Sequence, residues 1–213
     1  MTHKTAPVAW ILTGGWEGHQ PEAMAAVMEA YLTRLGFLVI VQRNLACLAN
    51  APELQDVDLV IPNWTGASVP HATMAPFLQA VQDGLGVAGV HGGMTDTFRL
   101  ENAYHHLAGG QFVAHPGGTG VTYAVNVRRQ AHSITEDIPD FTVTTEQYYM
   151  HMDPAVTVLA TTQFGSVTMP VAWVKAYGRG RVFCCTLGHD PGLLQMPPVD
   201  QFIQRGLAWA SRR

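Results

Sequence analysis

The sequence has 213 residues, of which 47% are hydrophobic and only 13% are charged, and its formal net charge is −4. This length suits a single domain spanning 1–213, because domains commonly hold about 100 to 200 residues. The few lysines and arginines form no basic cluster, which excludes nucleic acid as a partner, since phosphate binding needs a dense positive surface. The low charge favours a homo-oligomer.

No stretch approaches the roughly 20 apolar residues of a membrane span. Residues 1–4 lead directly into a short strand rather than into the apolar region of a signal peptide. We therefore expect a cytoplasmic protein with no membrane partner.

The first half of the chain predicts alternating strands and helices. The uninterrupted apolar run at 8–12 is typical of a strand buried on both faces. An amphipathic helix begins at Pro21 and ends at Gly36. The pattern continues with strands at 37–41, 59–61 and 87–90, a helix at 71–82, and a helix at 96–107.

The second half predicts mainly strands, at 121–127, 141–145 and 156–161, and then a hairpin whose strands, 171–176 and 181–186, flank Gly178. A last helix carries an apolar face made of Val199, Phe202, Ile203, Leu207 and Ala210.

Strand, helix and strand repeated in this order imply right-handed crossovers. We therefore predict an α/β fold with a doubly wound, mostly parallel sheet of the flavodoxin-like type, an antiparallel excursion in the second half, and a C-terminal hairpin.

Histidines follow three of the predicted strands. His19 follows the first, His91 follows the strand at 87–90 directly, and His189 follows the last hairpin strand. Ligands of open parallel sheets bind outside the carboxyl ends of the strands. The turn around His91 has the form of a nucleophile elbow, in which the N–H groups of Gly92 and Gly93 could face an oxyanion. His91 is therefore the first candidate catalytic residue, although a histidine bonded only to backbone in a tight turn is the alternative.

Several motifs together resemble the ThuA-like family, which is associated with trehalose utilisation and related to the class I glutamine amidotransferase-like fold. They span nearly the whole chain and comprise Gly14-Gly15 with His19, Gly89-Val90-His91-Gly92-Gly93, Thr95-Asp96, Phe98-Arg99, 107–112 with His115-Pro116, Val171-Ala172-Trp173, and Gly188-His189-Asp190.

The chain departs from class I glutamine amidotransferases at the residue that matters for their chemistry. Those enzymes carry a cysteine at the elbow, where this chain has His91. The adjacent Cys184 and Cys185 lie in a predicted strand and would point to opposite faces, which suits reduced core thiols rather than an activated thiolate. We therefore expect no glutaminase activity.

Further polar candidates lie between the strands. His115 precedes Pro116, which favours an extended backbone, so its side chain could project into a cleft as a second base or ligand. Glu146 and Tyr148 share one face if their segment is extended, whereas Tyr149 and His151 share the other.

A divalent metal such as zinc could be assembled from separate loops, although no local signature such as His-Glu-x-x-His is present. Asp190 is an alternative carboxylate for the site. The candidate donors are His19, His91, His115, Glu146 and His189.

No nucleotide cofactor is expected, because the glycines after the first strand do not form Gly-x-Gly-x-x-Gly. The candidate substrate-binding residues include Trp16 and Trp64, whose rings could stack on a sugar, although core packing is the commoner role of tryptophan. The others are Gly15, Gly92, Gly93 and Tyr148.

The resemblance implies a sugar or keto-sugar substrate, such as a derivative of trehalose or a related disaccharide. We expect histidine acid–base or metal-assisted chemistry of a lyase, hydrolase or isomerase, with His91, His115 and His189 as catalytic residues. The alternatives are a non-catalytic module that binds a sugar or a partner chain, and a subunit that acts only beside a partner dehydrogenase.

Overall fold

The computed structural model describes residues 6–129 and 132–211. The strands there are β1 Val8–Gly15, β2 Leu38–Gln42, β3 Leu59–Thr65, β4 Gly86–Val90, β5 Gly110–Ala114, β6 Val121–Val127, β7 Phe141–Thr145, β8 Tyr149–Met152, β9 Thr157–Phe164, β10 Val167–Tyr177 and β11 Gly180–Cys185. The α-helices are α1 Pro21–Arg34, α2 Ala51–Gln55, α3 His71–Gln82, α4 His91–Thr95, α5 Asn102–Ala108, α6 Pro191–Leu194 and α7 Pro197–Ala210.

The first strand has the two-sided burial that its apolar run predicts. Ala9 and Ile11 face one core, while Trp10 and Leu12 face the other. Helices α1 and α7 pack into the first core, and α3 and α5 pack into the second. Because helices cover both faces of the parallel strands, the prediction of a doubly wound α/β arrangement is confirmed.

The central sheet in the described residues has nine strands in the order β2-β1-β3-β4-β11-β10-β9-β6-β7. The pairs from β2 through β11 are parallel, and those from β11 through β7 are antiparallel. With β11 counted as the fifth strand, the parallel part has the flavodoxin order 2-1-3-4-5. The predicted antiparallel part is present, and its strands continue this same sheet.

The C-terminal hairpin forms where it was predicted. In the β10–β11 pair, Tyr177 lies opposite Gly180, which leaves a two-residue turn at Gly178 and Arg179. Gly178 has a φ of 61°, a conformation that glycine adopts without steric cost.

One prediction about the middle of the chain was wrong, and one pair of strands was missed. The helix expected at 96–107 is shorter than predicted: α5 begins only at Asn102, and 96–101 is not helical. Phe98 in this stretch has a φ of 48°, which is incompatible with a continuous right-handed helix. Strands β5 and β8 were not predicted, and they form a separate two-stranded antiparallel sheet. Pairing between segments so distant in sequence leaves no local signal.

Within 6–129 and 132–211, no helix combines the length and the apolar character that crossing a membrane requires. The expectation about residues 1–4 concerns a segment outside these ranges.

Candidate functional site

The turn after β4 holds His91 in a strained conformation. His91 has a φ of 52° and is 2% exposed. A left-handed conformation costs a residue with a Cβ roughly 1–2 kcal/mol, so it persists only where the surroundings impose it. The predicted strand, sharp turn and helix are therefore present, with an imidazole at the apex.

The glycines after His91 permit close packing at this turn. A Cβ on Gly92 would lie 2.8 Å from Cε1 of His19, and a Cβ on Gly93 would lie 2.9 Å from the Cα of Asn63. Both distances are shorter than van der Waals contact allows. The two glycines thus let α4 approach β3 and the His19 ring.

Hydrogen bonds at both ring nitrogens define the tautomer of His91. Nδ1 lies 2.8 Å from the carbonyl oxygen of Thr186, which can only accept, so Nδ1 carries the hydrogen. The Tyr148 hydroxyl donates to Nε2 at 2.8 Å. Burial lowers the pKa of His91, although Glu146 opposes this effect, and the ring is therefore neutral at pH 7.

Glu146 is a buried carboxylate surrounded by imidazoles. Its Oε2 lies 3.1 Å from Nε2 of His91, while its Oε1 lies 3.3 Å from Nδ1 of His189 and 3.8 Å from Nδ1 of His115. Burial by itself would raise the pKa of Glu146, but the hydrogen bond and charge that His91 supplies once protonated, with the charges of His189 and His115, lower it to about 2. The group is therefore ionised at neutral pH while only 5% exposed.

The hydrogen bonding of this carboxylate is incomplete. Oε2 of Glu146 is buried and has no hydrogen-bond partner, and neither does Nδ1 of His115 or of His189. Buried polar atoms are nearly always hydrogen-bonded. Unpaired polar atoms beside an ionised carboxylate could accommodate a cation.

His19 completes the cluster from the other side. It ends the short 3₁₀ turn Glu17–His19 after β1, and its Nδ1 lies 2.8 Å from Oγ1 of Thr65 at the end of β3. Its ring centroid lies 4.7 Å from that of His91 and 5.3 Å from that of His189. Burial, with the neighbouring histidines, lowers the pKa of His19 to about 4.

These four side chains could hold a metal ion, since each offers one ligand atom within 4.8 Å of the others. Tetrahedral zinc with bonds of about 2.0–2.1 Å separates its ligand atoms by about 3.3 Å. Glu146 approaches His91 through Oε2 at 3.1 Å and His189 through Oε1 at 3.3 Å, so each carboxylate oxygen faces a different imidazole at about this spacing. We call His19, His91, Glu146 and His189 the histidine–glutamate cluster.

His115, the fifth predicted donor, lies beside this cluster. Its side chain is 39% exposed, and its ring stacks on Tyr148 with 6.0 Å between centroids. It therefore has both a route to solvent and a place next to the carboxylate. Asp190, in contrast, caps α6, because its Oδ1 accepts a hydrogen bond from the N–H of Leu193 at 3.1 Å.

Side chains outside the cluster hold Glu146 in place, and sequence reasoning did not identify them. The hydroxyl of Tyr123 donates to the carbonyl oxygen of Glu146 at 3.0 Å. The amide of Gln147 donates to Oγ1 of Thr162 at 3.1 Å and to the carbonyl oxygen of Gln163 at 2.9 Å. These bonds fix the backbone of 146–148 between β7 and β8.

Thr65 and Thr186 also escaped sequence reasoning. Their positions could have indicated a role in the site, because each stands at the carboxyl end of a strand, as the predicted histidines do.

The two tryptophans lie in different surroundings. Trp16 is 58% exposed and meets the His19 ring edge-on, with 4.7 Å between ring centroids. Trp64 lies against Gly14 and Gly15, where an added Cβ would come within 2.8 Å of its indole, and it borders a separate cavity of about 400 Å³. Of the two, Trp16 is the one in contact with the histidine–glutamate cluster.

The cysteines have the predicted placement. Cys184 and Cys185 belong to opposite cores, and Sγ of Cys184 donates to the carbonyl oxygen of Ala108. Burial raises the pKa of the Cys184 thiol well above its usual value and that of Cys185 to about 12. Neither thiol has the thiolate character that nucleophilic catalysis requires.

The strand order and the cluster at the carboxyl ends of β1, β4 and β11 define a flavodoxin-like α/β protein with a polar site at the strand ends. The chain belongs to the ThuA family, whose sequence profile, described as trehalose utilisation, matches residues 8–210. Membership of this family supports a role in carbohydrate metabolism. No curated protein matches the sequence.

Solved structures share the fold at low sequence identity. A ThuA-like protein from Parabacteroides merdae is 20% identical, with a TM-score of 0.79 over 97% of this chain and 90% of that one. A cytoplasmic protein from Salmonella typhimurium is 12% identical, with a TM-score of 0.67 over 96% and 99%. A β-galactosidase from a Rahnella species is 18% identical, with a TM-score of 0.65 over 96% of this chain but 30% of that one.

Proposed function

We propose that this chain is an enzyme that acts on a keto-sugar by metal-assisted acid–base chemistry. The observation that carries the proposal is the buried carboxylate of Glu146, whose Oε2 has no hydrogen-bond partner and faces Nε2 of His91 at 3.1 Å. An ionised carboxylate is costly to bury unless it is paired or binds a metal. A divalent cation such as zinc would supply the missing charge.

The outer contacts of the cluster support a metal site. Metal-binding histidines commonly use their second ring nitrogen to bond a carbonyl or another polar group, which sets the tautomer and orients the ring. His91 makes such a contact with Thr186, and His19 makes one with Thr65. When bound, zinc would act as a Lewis acid that stabilises negative charge developing on a substrate oxygen.

His115 is the proposed general base. Both ring nitrogens of His91 are already hydrogen-bonded, whereas Nδ1 of His115 has no partner and its side chain reaches solvent. His115 would take the proton from a carbon next to the ketone, and the electrons of that C–H bond would move into the carbonyl to form an enolate. His189 stays a proposed second catalytic residue beside Glu146.

Two outcomes follow chemically from the enolate. Return of the proton to the opposite face of the same carbon inverts that centre and gives an epimer, which makes the enzyme an isomerase. Alternatively, an oxygen substituent on the carbon next to the deprotonated one can leave: its C–O bond breaks, the departing oxygen takes the proton held by His115, and an unsaturated ketone remains. This outcome makes the enzyme a lyase acting on a keto-disaccharide.

The surroundings of the cluster support a neutral sugar rather than an anionic substrate. The exposed ring of Trp16 offers a stacking surface at the rim. Arg99, a cation near Tyr148, is already paired with Asp96. We propose Gly15, Gly92, Gly93 and Tyr148 as further substrate contacts, while the position of Trp64 on a separate cavity makes it a weaker candidate.

Product analysis tests this function. Zinc-loaded protein would be incubated in deuterium oxide with keto-disaccharides and with the parent sugars, followed by NMR. With the keto-disaccharides, we expect deuterium to appear on the carbon next to the ketone and a new product to form. The parent sugars should show neither change. His115→Ala should lose both, whereas His151→Ala, a change at an exposed histidine outside the cluster, should retain them. Turnover that persists in the His91→Ala, His115→Ala double variant contradicts the proposal.

The same assay separates the alternatives. Sugar binding without turnover by zinc-loaded protein would identify a binding module, and turnover only with an added dehydrogenase would identify a partner-dependent subunit. We also propose a cytoplasmic location and a homo-oligomer. Three free cysteines and the low charge support these two proposals, and cell fractionation and light scattering test them.

A further inference from the structure

His91 has one ring nitrogen available for a metal. Its Nδ1 hydrogen is donated to the carbonyl oxygen of Thr186 at 2.8 Å in a fully buried contact. Exchanging the two nitrogens would place a lone pair against that carbonyl oxygen, which is also an acceptor. Any metal bound by this ring must therefore use the lone pair of Nε2.

That lone pair already has a partner in this structure. The hydroxyl of Tyr148 donates to Nε2 at 2.8 Å. The phenol ring lies between His91 and Phe112, with its centroid 4.4 Å from each of theirs, and Tyr148 is buried. Its packing keeps the hydroxyl directed at the position that a metal would need.

We propose that the Tyr148 hydroxyl and the metal compete for Nε2 of His91, so that metal binding frees Tyr148 to donate a hydrogen bond to the ketone oxygen of the substrate. This inference rests on the proposed function and deepens it, because it gives Tyr148 a defined partner on a keto-sugar. The hydroxyl keeps its hydrogen throughout and only changes its acceptor.

The chemistry of both groups supports this exchange. A tyrosine phenol keeps its hydrogen at neutral pH, so Tyr148 remains a donor. Oε2 of Glu146 lies 3.1 Å from the same Nε2 and has no hydrogen-bond partner. An unpaired negative charge therefore lies beside the lone pair for which Tyr148 and the metal compete. The hydroxyl satisfies the imidazole and leaves the carboxylate unsatisfied, whereas a cation would bind both.

Metal affinity tests the competition directly. Protein freed of metal by a chelator would be titrated with zinc alone against a competing chromophoric chelator. Because zinc need not displace a hydroxyl in Tyr148→Phe, this variant should bind zinc roughly two- to tenfold more tightly than wild type, the equivalent of one hydrogen bond. Tyr149→Phe, which removes a hydroxyl from the neighbouring residue outside the cluster, should match wild type. Circular dichroism would check that both variants fold.

A second readout follows the hydroxyl itself. Zinc should produce a near-ultraviolet tyrosine difference signal in wild type and in Tyr149→Phe, but not in Tyr148→Phe. If wild type binds zinc and Tyr148→Phe binds it equally or less tightly, the proposed competition is wrong but the metal site is still supported. Wild type that binds no zinc overturns both the competition and the metal-assisted function.

Discussion

Nε2 of His91 and Oε2 of Glu146 lie 3.1 Å apart without hydrogen-bond geometry between them. The imidazole hydrogen is on the other nitrogen, so two acceptor atoms face each other inside the protein. Two lone pairs at this distance repel unless a positive charge lies between or beside them. This relationship, more than the number of histidines, supports the proposal of a cation site over a group of packed aromatic rings.

Glu146→Gln keeps the shape of this side chain and removes its charge. We expect zinc affinity to fall by at least roughly 10- to 100-fold, the loss typical when even an outer partner of a metal site is removed. Isothermal titration would measure it, with Glu29→Gln, an exposed residue of α1, as the charge-matched control. Unchanged affinity in Glu146→Gln would place the metal elsewhere.

The strain at His91 predicts an ordering of two variants. His91→Ala and His91→Gly both lose the imidazole, but glycine accepts a φ of 52° and alanine does not. His91→Gly should therefore exceed His91→Ala in free energy of unfolding by roughly 1–2 kcal/mol. Urea denaturation of metal-free protein would measure the difference, and equal stabilities would mean that the turn relaxes.

The metal-free protein should lose stability as the pH falls from about 6.5 towards 4. The pKa of His19 is lowered from 6.5 to about 4, and burial lowers that of His91 as well. Across this window the unfolded chain binds protons that the folded chain does not, so acid favours unfolding. Glu146, whose pKa falls from 4.5 to about 2, contributes in the same direction at still lower pH.

Urea unfolding midpoints, measured across this pH range with a chelator present, would show how stability depends on pH. In His19→Gln the dependence between pH 6.5 and 4 should be shallower than in wild type. A midpoint that stays constant in wild type over that range would contradict the neutral, buried state of these rings.

Replacing Gly92 and replacing Gly93 by alanine should have different effects on stability and on zinc binding. A Cβ on Gly93 would meet the backbone of Asn63 and Pro62, which cannot move aside, so we expect a loss of roughly 1–3 kcal/mol in unfolding free energy. A Cβ on Gly92 would meet the side chains of His19 and Thr65, so its main effect should be weaker zinc binding.

Thermal denaturation and zinc titration of both alanine variants would separate the two effects. Gly120→Ala, with open space around the added methyl group, is the control. If Gly92→Ala bound zinc as wild type does, the position of the His19 ring would not depend on this close contact.

Periodicity and strand-end position were enough to predict much of this protein. The apolar run of β1, the stripe of α1 and the β10–β11 hairpin are local patterns, and each formed where it was predicted. The same reasoning selected His19, His91 and His189, because the carboxyl ends of parallel strands converge in any sheet of this class. Glu146 was selected with less reason, as one face of an extended segment.

Tertiary structure decided what periodicity could not reach. Phe98 is buried and has a φ of 48°, which the apolar pattern of 96–107 does not reveal. The pairing of β5 with β8 joins segments distant in the sequence, so no short window of sequence contains it. The same is true of the bonds that orient the site, from Thr186 and Tyr148 to His91, and from Tyr123 to Glu146. The sequence by itself determined which imidazoles stand at strand ends. Only the folded chain decided which ring nitrogen of His91 carries its hydrogen, because that depends on an acceptor and a donor that lie 95 and 57 residues away in the sequence.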